Sequence, residues 1–458
     1  MQANELQDFL QNKHLLSREL PFDQQVINES IEKGLILSEP GITQKKTGWI
    51  CNRCGQDNPS YFAFYPCYHC KKDCVYCRSC IMMGRVSECT PLLTAEGSNS
   101  IPIDNAQLTW SGKLSEGQNN ASTHIVRTID GSEKCLIWAV CGAGKTEILF
   151  EGILHAIRKG KFVCIATPRT DVVLELAPRL KGAFSGFEIA SLYGGSKDRG
   201  TRKPLTISTT HQLLRYKNAF DVIIIDEVDA FPYSADKKLQ FAVKKARKHV
   251  SACIYLSATP SKEMKRDVEK GRLHAVRIPA RFHRRPLPEP SWKWIGNWEK
   301  KLSKNKLPHA LTDWVKNNCE KNNPIFLFVP TIPILTQTVK LLKSIGYFTE
   351  GVHAEDKLRK EKVQQFRDQQ LQILVTTTIL ERGVTVKNAQ VGVLGAESAI
   401  FTESALVQIA GRAGRHPEFA KGDVVFFHYG KTKAMLEARA HIKEMNQIAL
   451  RDQQIDKC

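Results

Sequence analysis

Residues 135–150 read CLIWAVCGAGKTEILF, and this stretch decides the fold class. An apolar run passes directly into a glycine-rich turn, and an apolar-periodic helical segment follows it. Residues 139–146 match the pattern [AG]-x-x-x-x-G-K-[ST] of a phosphate-binding loop in the strand-to-helix context that the loop requires. Glycines allow backbone N–H groups to curl around a phosphate at a helix N-terminus. The stretch therefore predicts an α/β nucleotide-binding lobe.

The residue types in this loop assign separate tasks to neighbouring positions. The lysine can bridge the β- and γ-phosphates of ATP, and the threonine hydroxyl can ligate Mg²⁺. The candidate ligands of ATP and Mg²⁺ in the loop are Gly142, Ala143, Gly144, Lys145 and Thr146. Upstream, Gln118 is a candidate adenine contact, with an ordinary solvated glutamine as the alternative.

An acidic pair follows a second apolar run about eighty residues further on. Residues 222–225 read VIII and lead into Asp226 and Glu227. Because four β-branched residues precede it, the pair is expected at the end of a buried strand. There Asp226 can hold Mg²⁺ and Glu227 can polarise the water that attacks the γ-phosphate. We interpret Lys145, Asp226 and Glu227 as catalytic.

Short apolar runs separated by helical stretches predict two parallel-sheet, RecA-like lobes. The first set of predicted strands is 135–140, 162–166, 205–208, 222–225 and 253–256, and the second is 325–329, 373–375, 391–394 and 424–427. The second lobe lacks a phosphate loop but contains QIAGRAGR at 408–415. Arg412 and Arg415 are the candidate arginine fingers, which stabilise charge on a transferred phosphoryl group.

Eight of the fourteen cysteines lie between residues 51 and 89 and include four C-x-x-C pairs. Such pairs predict tetrahedral Zn²⁺ sites with thiolate ligands. One site built on Cys51/Cys54 and Cys77/Cys80 is the most compact arrangement, and a second site would use the others; spacing leaves one or two sites open. The candidate ligands are Cys51, Cys54, Cys67, Cys70, Cys74, Cys77, Cys80 and Cys89.

The charge balance points to a polyanionic partner. The 458 residues carry 66 Lys and Arg against 47 Asp and Glu, for a net charge of +19. Residues 1–110 hold 10 basic and 12 acidic residues, residues 111–270 hold 26 and 17, and residues 271–458 hold 30 and 18. The surplus therefore belongs to the two lobes, which favours nucleic acid binding there; evenly spread solubility charge is the alternative. The cysteine segment therefore has a different role. Stabilisation by zinc of a region too small to form its own core is at least as good a hypothesis as DNA contact.

Length and hydropathy exclude other classes. A chain of this length exceeds any disulfide-stapled miniprotein, and no apolar run approaches the ~18 residues that span a bilayer. The N-terminus is acidic and polar, unlike a secretory signal. We therefore expect a cytoplasmic protein without a membrane span of its own.

The order of the motifs identifies a resemblance. GAGKT, TPR at 167–169, TTHQ at 209–212, DEVD at 226–229, SAT at 257–259, TTTILERGVT at 376–385 and QIAGRAGR resemble superfamily 2 helicases and translocases over about residues 110–430. With the preceding cysteine cluster, the chain is similar to the ComFA family of late-competence ATPases, which help Gram-positive bacteria import transforming DNA. PriA-type replication-restart helicases are the nearest rival, but their cysteine cluster is embedded in the motor.

The resemblance implies further roles. In such motors Ser257 and Thr259 couple the state of ATP to lobe movement, ATP lies between the lobes, and Gly383 faces the nucleotide. The acidic motif ends in Asp229, where many relatives have His, which weakens a strict DEAH label. The implied DNA-backbone contacts are Pro168, Arg169, Thr209, Thr210, His211, Thr376 and Thr377.

The expected organisation is an N-terminal segment (1–48), a zinc module (49–95), an ATP-binding lobe (108–275), a basic and aromatic linker (276–310) and a second lobe (311–458). In the linker, Trp292, Trp294 and Trp298 could stack on bases, and packing within a linker helix is slightly favoured.

The expected function is ATP-driven translocation of single-stranded DNA with ATP, Mg²⁺ and Zn²⁺, beside competence proteins at the membrane uptake channel. Peripheral association with the inner face of the plasma membrane fits this picture. The alternatives are a duplex-unwinding restart or RNA helicase, a zinc-dependent nucleic-acid-binding protein with an inactive ATP site, and a zinc-dependent docking scaffold.

Overall fold

The structure is a computed structural model that describes residues 2–97, 102–198, 200–381 and 386–455. The chain divides into two compact units. The first unit comprises Met1–Ile137 and Thr146–Val276, and the second comprises Trp138–Lys145 and Arg277–Cys458. Most of the phosphate loop thus groups with the second unit, although the strand that leads into it begins in the first.

The N-terminal part of the first unit consists of short elements. They are α1 (Gln2–Leu10), β1 (Leu15–Leu16), α2 (Gln24–Glu32), β2 (Leu37–Glu39), β3 (Ile42–Lys45), β4 (Gly48–Cys51), β5 (Phe62–Pro66), β6 (Asp73–Cys77), β7 (Val86–Ser87), β8 (Leu92–Thr94) and β9 (Gln107–Leu108). Strand β8 pairs antiparallel with β1 and β2, β3 pairs with β4, and β6 lies between β5 and β7. The cysteines lie on these short strands and on the segments that follow them: Cys51 ends β4, and Cys74 and Cys77 belong to β6.

A seven-stranded sheet follows in the order β13-β14-β11-β15-β16-β10-β17. Its elements are α3 (Glu116–Gly131), β10 (Lys134–Ala139), α4 (Phe150–Arg158), β11 (Val163–Thr167), α5 (Thr170–Ala183), β12 (Phe184–Ser185), β13 (Ile189–Leu192), β14 (Leu205–Thr209), β15 (Phe220–Ile225), α6 (Lys237–Ala246), β16 (Arg247–Ser257), α7 (Lys262–Glu269) and β17 (His274–Ile278). From β13 to β16 neighbouring strands are parallel. β12 pairs separately with β9.

The second unit contains a six-stranded parallel sheet in the order β18-β23-β22-β19-β21-β20. Its elements are β18 (Ser291–Trp294), α8 (Trp298–Ser303), α9 (His309–Cys319), β19 (Ile325–Phe328), α10 (Ile332–Ser344), β20 (Thr349–Val352), α11 (Arg359–Arg367), β21 (Ile373–Thr376), β22 (Gln390–Leu394), α12 (Glu403–Ala410), β23 (Val424–His428) and α13 (Lys433–Arg451). The predicted fold class, two parallel-sheet lobes preceded by a cysteine-rich module, is confirmed. Strand β18 lies within the stretch predicted as a linker.

The cysteine module and the seven-stranded sheet share one hydrophobic core. Cys51, Cys54, Cys77 and Cys80 are buried in the same cluster as Leu213 and Leu239. Gly55 has a φ of 71°, and a Cβ atom there would lie 2.5 Å from the ring of Phe241 on α6. Only glycine accepts this backbone conformation and this close approach together. The module is therefore packed directly against the helix that follows the acidic motif.

We also examined whether any helix among the described residues could cross a membrane. None of their helices combines the length and the apolar character that a bilayer requires.

Candidate ATP site and cysteine clusters

The phosphate loop has the backbone conformation that its glycines predict. Gly142 and Gly144 have φ values of 83° and 73°, in the region that side chains disfavour. Ala143 is buried and donates its N–H to the carbonyl of Val140 at 3.2 Å. After the loop, a 3₁₀ turn (Glu147–Leu149) precedes α4, so the predicted helix begins with a tighter turn.

The acidic pair lies at the end of β15, as the apolar run before it predicts. The N–H of Asp226 donates to the carbonyl of Ala166 at 2.8 Å, which continues the pairing of β15 with β11 by one residue. Glu227 has a φ of 58°. This left-handed conformation costs a residue with a side chain roughly 1 kcal/mol or more and is concentrated at functional sites. Both residues are partly buried, and the Oε2 atom of Glu227 is shielded from solvent.

Asp229, the last residue of the acidic motif, joins two motifs. Its two carboxylate oxygens accept hydrogen bonds from the hydroxyls of Ser257 at 2.6 Å and Thr259 at 2.8 Å. The Ser257 oxygen in turn accepts the N–H of Thr259 at 3.0 Å. The sequence alone treats Asp229 only as a departure from His. The signal that could have revealed its role is the pair of hydroxyls in SAT, which need a buried acceptor.

The predicted DNA contacts of the first lobe follow two parallel strands. Thr209 ends β14, and the N–H of Thr210 donates to the carbonyl of Thr167 at 2.9 Å. The guanidinium of Arg169 donates to both oxygens of Asp171, at 3.2 and 2.8 Å. Burial lowers the pKa of His211, which favours the neutral imidazole. These bonds tie the segments after β11 and β14 to the sheet and to the start of α5, while their contact with DNA stays a prediction.

The corresponding residues of the second unit are also held by hydrogen bonds to the backbone. The buried hydroxyl of Thr376 donates to the carbonyl of Val352 at 3.0 Å, and Thr377 precedes a 3₁₀ turn. The Nε of Arg412, which is 2% exposed, donates to the carbonyl of Glu381 at 3.0 Å. The Nε of Arg415 donates to the carbonyl of Gly411 at 2.8 Å. Gly383 lies outside the described residues.

Gln118 has a structural task at the start of α3. Its side-chain oxygen accepts the N–H of Ser115 at 2.8 Å, and the Ser115 hydroxyl accepts the N–H of Gln118 at 3.4 Å. This reciprocal pair is a capping box, which satisfies donors at the helix start. An adenine contact by Gln118 stays a prediction.

The eight cysteines form two groups of four, each with its sulfur atoms within 4.8 Å of one another. The first group is Cys51, Cys54, Cys77 and Cys80, and the second is Cys67, Cys70, Cys74 and Cys89. In the first group the Cys51–Cys80 and Cys54–Cys77 sulfur pairs are 3.8 and 3.7 Å apart. A tetrahedron with Zn–S bonds of about 2.3 Å has edges of about 3.8 Å, so this donor set fits Zn²⁺.

The second group is less buried than the first. Its Cys67 and Cys89 sulfurs are 3.3 Å apart, and Cys70 and Cys89 are only partly buried. The backbone N–H of Cys70 lowers the pKa of Cys67 to about 6, which favours the thiolate form that binds metal. The two groups are interleaved along the chain, because Cys77 and Cys80 of the first lie between Cys74 and Cys89 of the second.

The tryptophans of the predicted linker have different environments. Trp298 is buried and donates its indole N–H to Glu397 at 2.7 Å, so it packs. The Lys431 ammonium lies 4.2 Å from the Trp292 ring centre. Trp294 is 68% exposed, and its ring centre is 6.4 Å from that of Tyr429. Trp294 is therefore the only member of this trio with a largely exposed ring for base stacking.

Comparisons with known proteins cover nearly the whole chain. Residues 1–94 match the family described as the competence protein ComFA N-terminal domain, residues 111–262 the type III restriction enzyme res subunit, and residues 305–417 the helicase conserved C-terminal domain. The chain is 60% identical over 447 residues to competence protein ComFA of Bacillus subtilis strain 168, covering 98% of this chain and 96% of that protein. It is 36% identical over 430 residues to ComFA of Streptococcus pneumoniae R6, covering 92% and 96%.

Other similarities are partial. Replication restart protein PriA of Bacillus subtilis is 26% identical over 195 residues, covering 39% of this chain and 24% of PriA. Among solved structures, yeast Dbp5 bound to RNA and ADP BeF3 has a TM-score of 0.54 at 15% identity, covering 75% of this chain and 92% of that one. RecG bound to a three-way DNA junction has a TM-score of 0.52 at 18% identity, covering 76% and 47%. At such identities the two structures show a common fold alone.

Proposed function

The chain belongs to the ComFA family of competence proteins, and from this premise we propose that it is an ATP-dependent single-stranded DNA translocase that drives transforming DNA into the cytosol. Its helicase-type ATPase domains are those of an ATP-hydrolysing enzyme. The observation that carries the proposal is the junction at Asp229. A motor must transmit hydrolysis to another part of the chain, and here the acidic motif is bonded to Ser257 and Thr259.

The chemistry that we propose uses side chains at strand ends. Lys145 binds the β- and γ-phosphates, and Glu227 accepts a proton from the attacking water as it orients it. Thr146 and Asp226 would hold Mg²⁺, which would supply charge neutralisation of the phosphates when bound. Arg412 and Arg415 donate to the oxygens on which charge develops.

DNA binding without sequence preference follows from the proposed contacts. Backbone N–H groups and hydroxyls at Thr209, Thr210 and Thr376 suit phosphates, which carry affinity without sequence readout. Competence proteins at the uptake channel are the proposed partners, which would bring this chain to the cytoplasmic face of the membrane.

ATP hydrolysis by the purified full chain tests the proposal. We expect single-stranded DNA to stimulate hydrolysis more than duplex DNA or RNA does. Lys145→Ala should reduce turnover by about 100-fold or more, since it removes a cation that contacts the transferred phosphate. Lys159→Ala is the matched control, because Lys159 lies on the surface and pairs with Asp130 at 2.7 Å. Undiminished hydrolysis by Lys145→Ala, or no stimulation by single-stranded DNA, would overturn the motor proposal.

A duplex-unwinding helicase is the second candidate, favoured by the partial match to PriA. A strand-displacement assay with a partial duplex separates the two functions. Translocation without unwinding leaves the duplex intact while ATP is consumed. Efficient ATP-dependent strand release would favour the helicase instead.

We also propose that each cysteine group binds one Zn²⁺, which would cross-link the chain segments that carry the thiolates. Metal analysis of the full chain should then return two zinc ions. Cys54→Ser and Cys70→Ser should each remove one. Because only the first group lies in the core shared with the sheet, the Cys54 variant should lose more stability. A zinc content near zero in the unaltered chain would contradict this assignment.

A further inference from the structure

Arg281 is a buried cation with an unusual environment. Its side chain is 2% exposed. One terminal nitrogen donates to the carbonyl of Gly414, and the other donates to that of Gly411 at 3.4 Å. Across the described ranges, its Nε has no hydrogen-bond partner and no carboxylate lies within ion-pair distance. Among the described residues, the hydrogen-bond partners of the Arg281 guanidinium are therefore two backbone carbonyls.

This arrangement is electrostatically unfavourable. Burial and the neighbouring positive charge of Arg415 lower the pKa of Arg281 to about 9, so the group stays charged at neutral pH. Burying an ion without a counter-ion is unfavourable, because the lost hydration is not replaced by an opposite charge. Fastening two glycine carbonyls does not require a charge, since an uncharged amide donor would serve at lower cost. A bound anion would offset the cost.

The position of Arg281 indicates which anion. A Cβ atom built on Gly142, the first glycine of the phosphate loop, would lie 3.6 Å from the Cγ of Arg281 and 3.8 Å from its Nε. The next residue, Phe282, donates its N–H to the carbonyl of Gly142 at 3.2 Å. All of these residues, together with Gly411 and Gly414, belong to the second unit. The Nε without a partner thus lies beside the backbone that is expected to cradle phosphates.

We propose that Arg281 is a nucleotide-binding residue whose guanidinium contacts the terminal phosphate of ATP. It would act in addition to Arg412 and Arg415, the candidate fingers of the 408–415 motif. The terminal phosphate is favoured over the others because the guanidinium is bonded to the turn that carries those arginines. This inference rests on the proposed ATPase function and adds a binding group that the motif pattern omits, since Arg281 lies in none of the motifs.

Nucleotide binding by the full chain tests the inference. Calorimetry would give the Kd of a non-hydrolysable ATP analogue and of ADP for the unaltered chain, Arg281→Gln, Arg281→Lys and Arg284→Gln. Arg281→Gln should weaken binding of the analogue by about 10- to 100-fold, the range for a hydrogen bond to a charged group. ADP, which lacks the terminal phosphate, should lose less than about threefold. Arg281→Lys, which keeps the charge, should fall between.

Arg284→Gln is the matched control. This exposed arginine lies three residues further on and donates to the carbonyl of Gln453 at 2.8 Å, so its loss should leave both affinities unchanged. Equal losses for the analogue and ADP in Arg281→Gln, with a lowered melting temperature, would assign Arg281 a structural role and overturn the inference. Unchanged affinities would overturn it too. If Arg281→Gln fails to fold, the affinities of Arg281→Lys for the analogue and for ADP test the inference in the same way.

Nucleotide binding by the unaltered chain distinguishes failure of this inference from failure of the proposed function. If the unaltered chain binds neither nucleotide, the ATPase proposal fails and this inference fails with it. If the unaltered chain binds both and the Arg281 variants match it, only the inference fails.

Discussion

Asp229 illustrates how one side chain can serve both chemistry and packing. Its carboxylate accepts from the hydroxyls of Ser257 and Thr259, which are 0% and 6% exposed. Hydrogen bonds from hydroxyls to a carboxylate are stronger than those between neutral groups. We therefore expect the acidic motif and the SAT segment to move as one piece.

Asp229→Ala should reduce the free energy of unfolding by about 1–3 kcal/mol, since it leaves buried hydroxyls without this acceptor. Urea denaturation would measure this loss. At a temperature where the variant is folded, stimulation of ATP hydrolysis by single-stranded DNA should fall more than the basal rate does. Asp229→Asn keeps the shape of the side chain, so it should lose less stability. Retention of full stimulation by both variants would contradict the coupling role.

His14 should make stability depend on pH. Its side chain is 1% exposed, and its Nε2 atom lies 3.2 Å from a carboxylate oxygen of Glu39. Burial lowers the pKa of His14 to about 4. The unfolded chain takes up this proton near pH 6.5, before the folded chain does. Stability should therefore fall as pH falls from 6.5 to 4, by at most about 3 kcal/mol from this group.

Urea denaturation of His14→Gln between pH 7 and pH 5 checks this expectation. The variant should lose less stability on acidification than the unaltered chain does. His309→Gln is the control, because the His309 side chain is 91% exposed. Parallel pH profiles for all three proteins would show that His14 does not carry the effect.

Among the elements, helix α6 connects the cysteine module to the motor. It follows the acidic motif in the chain, and its Phe241 lies against the backbone of Gly55. Its Lys245 donates to the carbonyls of Arg53 and Leu214, at 2.9 and 2.8 Å. The first cysteine group is thus packed, through α6, against the ATP-binding sheet.

Gly55→Ala tests this support. The added Cβ atom would lie 2.5 Å from the Phe241 ring, and the residue would keep a positive φ. We expect a loss of about 2–4 kcal/mol, from overpacking and backbone strain together. Gly34→Ala is matched for strain, with a φ of 66° and nothing within 4 Å, and should lose only about 1–2 kcal/mol. Equal melting temperatures for the two variants would show that the contact with α6 contributes nothing.

Considered as a whole molecule, the chain concentrates its positive charge in residues 111–458, which hold 56 basic and 35 acidic residues. If phosphate contacts carry the affinity, binding of single-stranded DNA must release counter-ions. A chain that neutralises about five phosphates should then show a slope near −3.5 when log K is plotted against log salt. Fluorescence anisotropy with a labelled oligonucleotide between 50 and 200 mM NaCl measures the slope. A slope near zero would show that stacking, and not charge, dominates.

Features encoded by consecutive residues could be predicted from the sequence. The phosphate loop, the acidic pair on β15 and the parallel sheets depend on local patterns of apolar residues and glycines, because a strand, a turn and a helix are each specified within a few residues. Strand ends differ from the predictions by one or two residues in most cases; β16 begins at Arg247, six residues before the predicted start at 253.

The tertiary structure decided what depends on residues far apart in the chain. The spacing of the cysteines allows one metal site or two, and only the fold separates the two interleaved groups. Cys67 follows β5 and Cys89 lies two residues after β7, and the pairing of both strands with β6 brings these cysteines together. The pairing of Asp229 with Ser257 and Thr259, 28 and 30 residues away, likewise requires adjacent strands. Arg281 carries no sequence motif at all. Its proposed role rests on burial without a counter-ion, and that burial depends on the folded environment and not on the residue type.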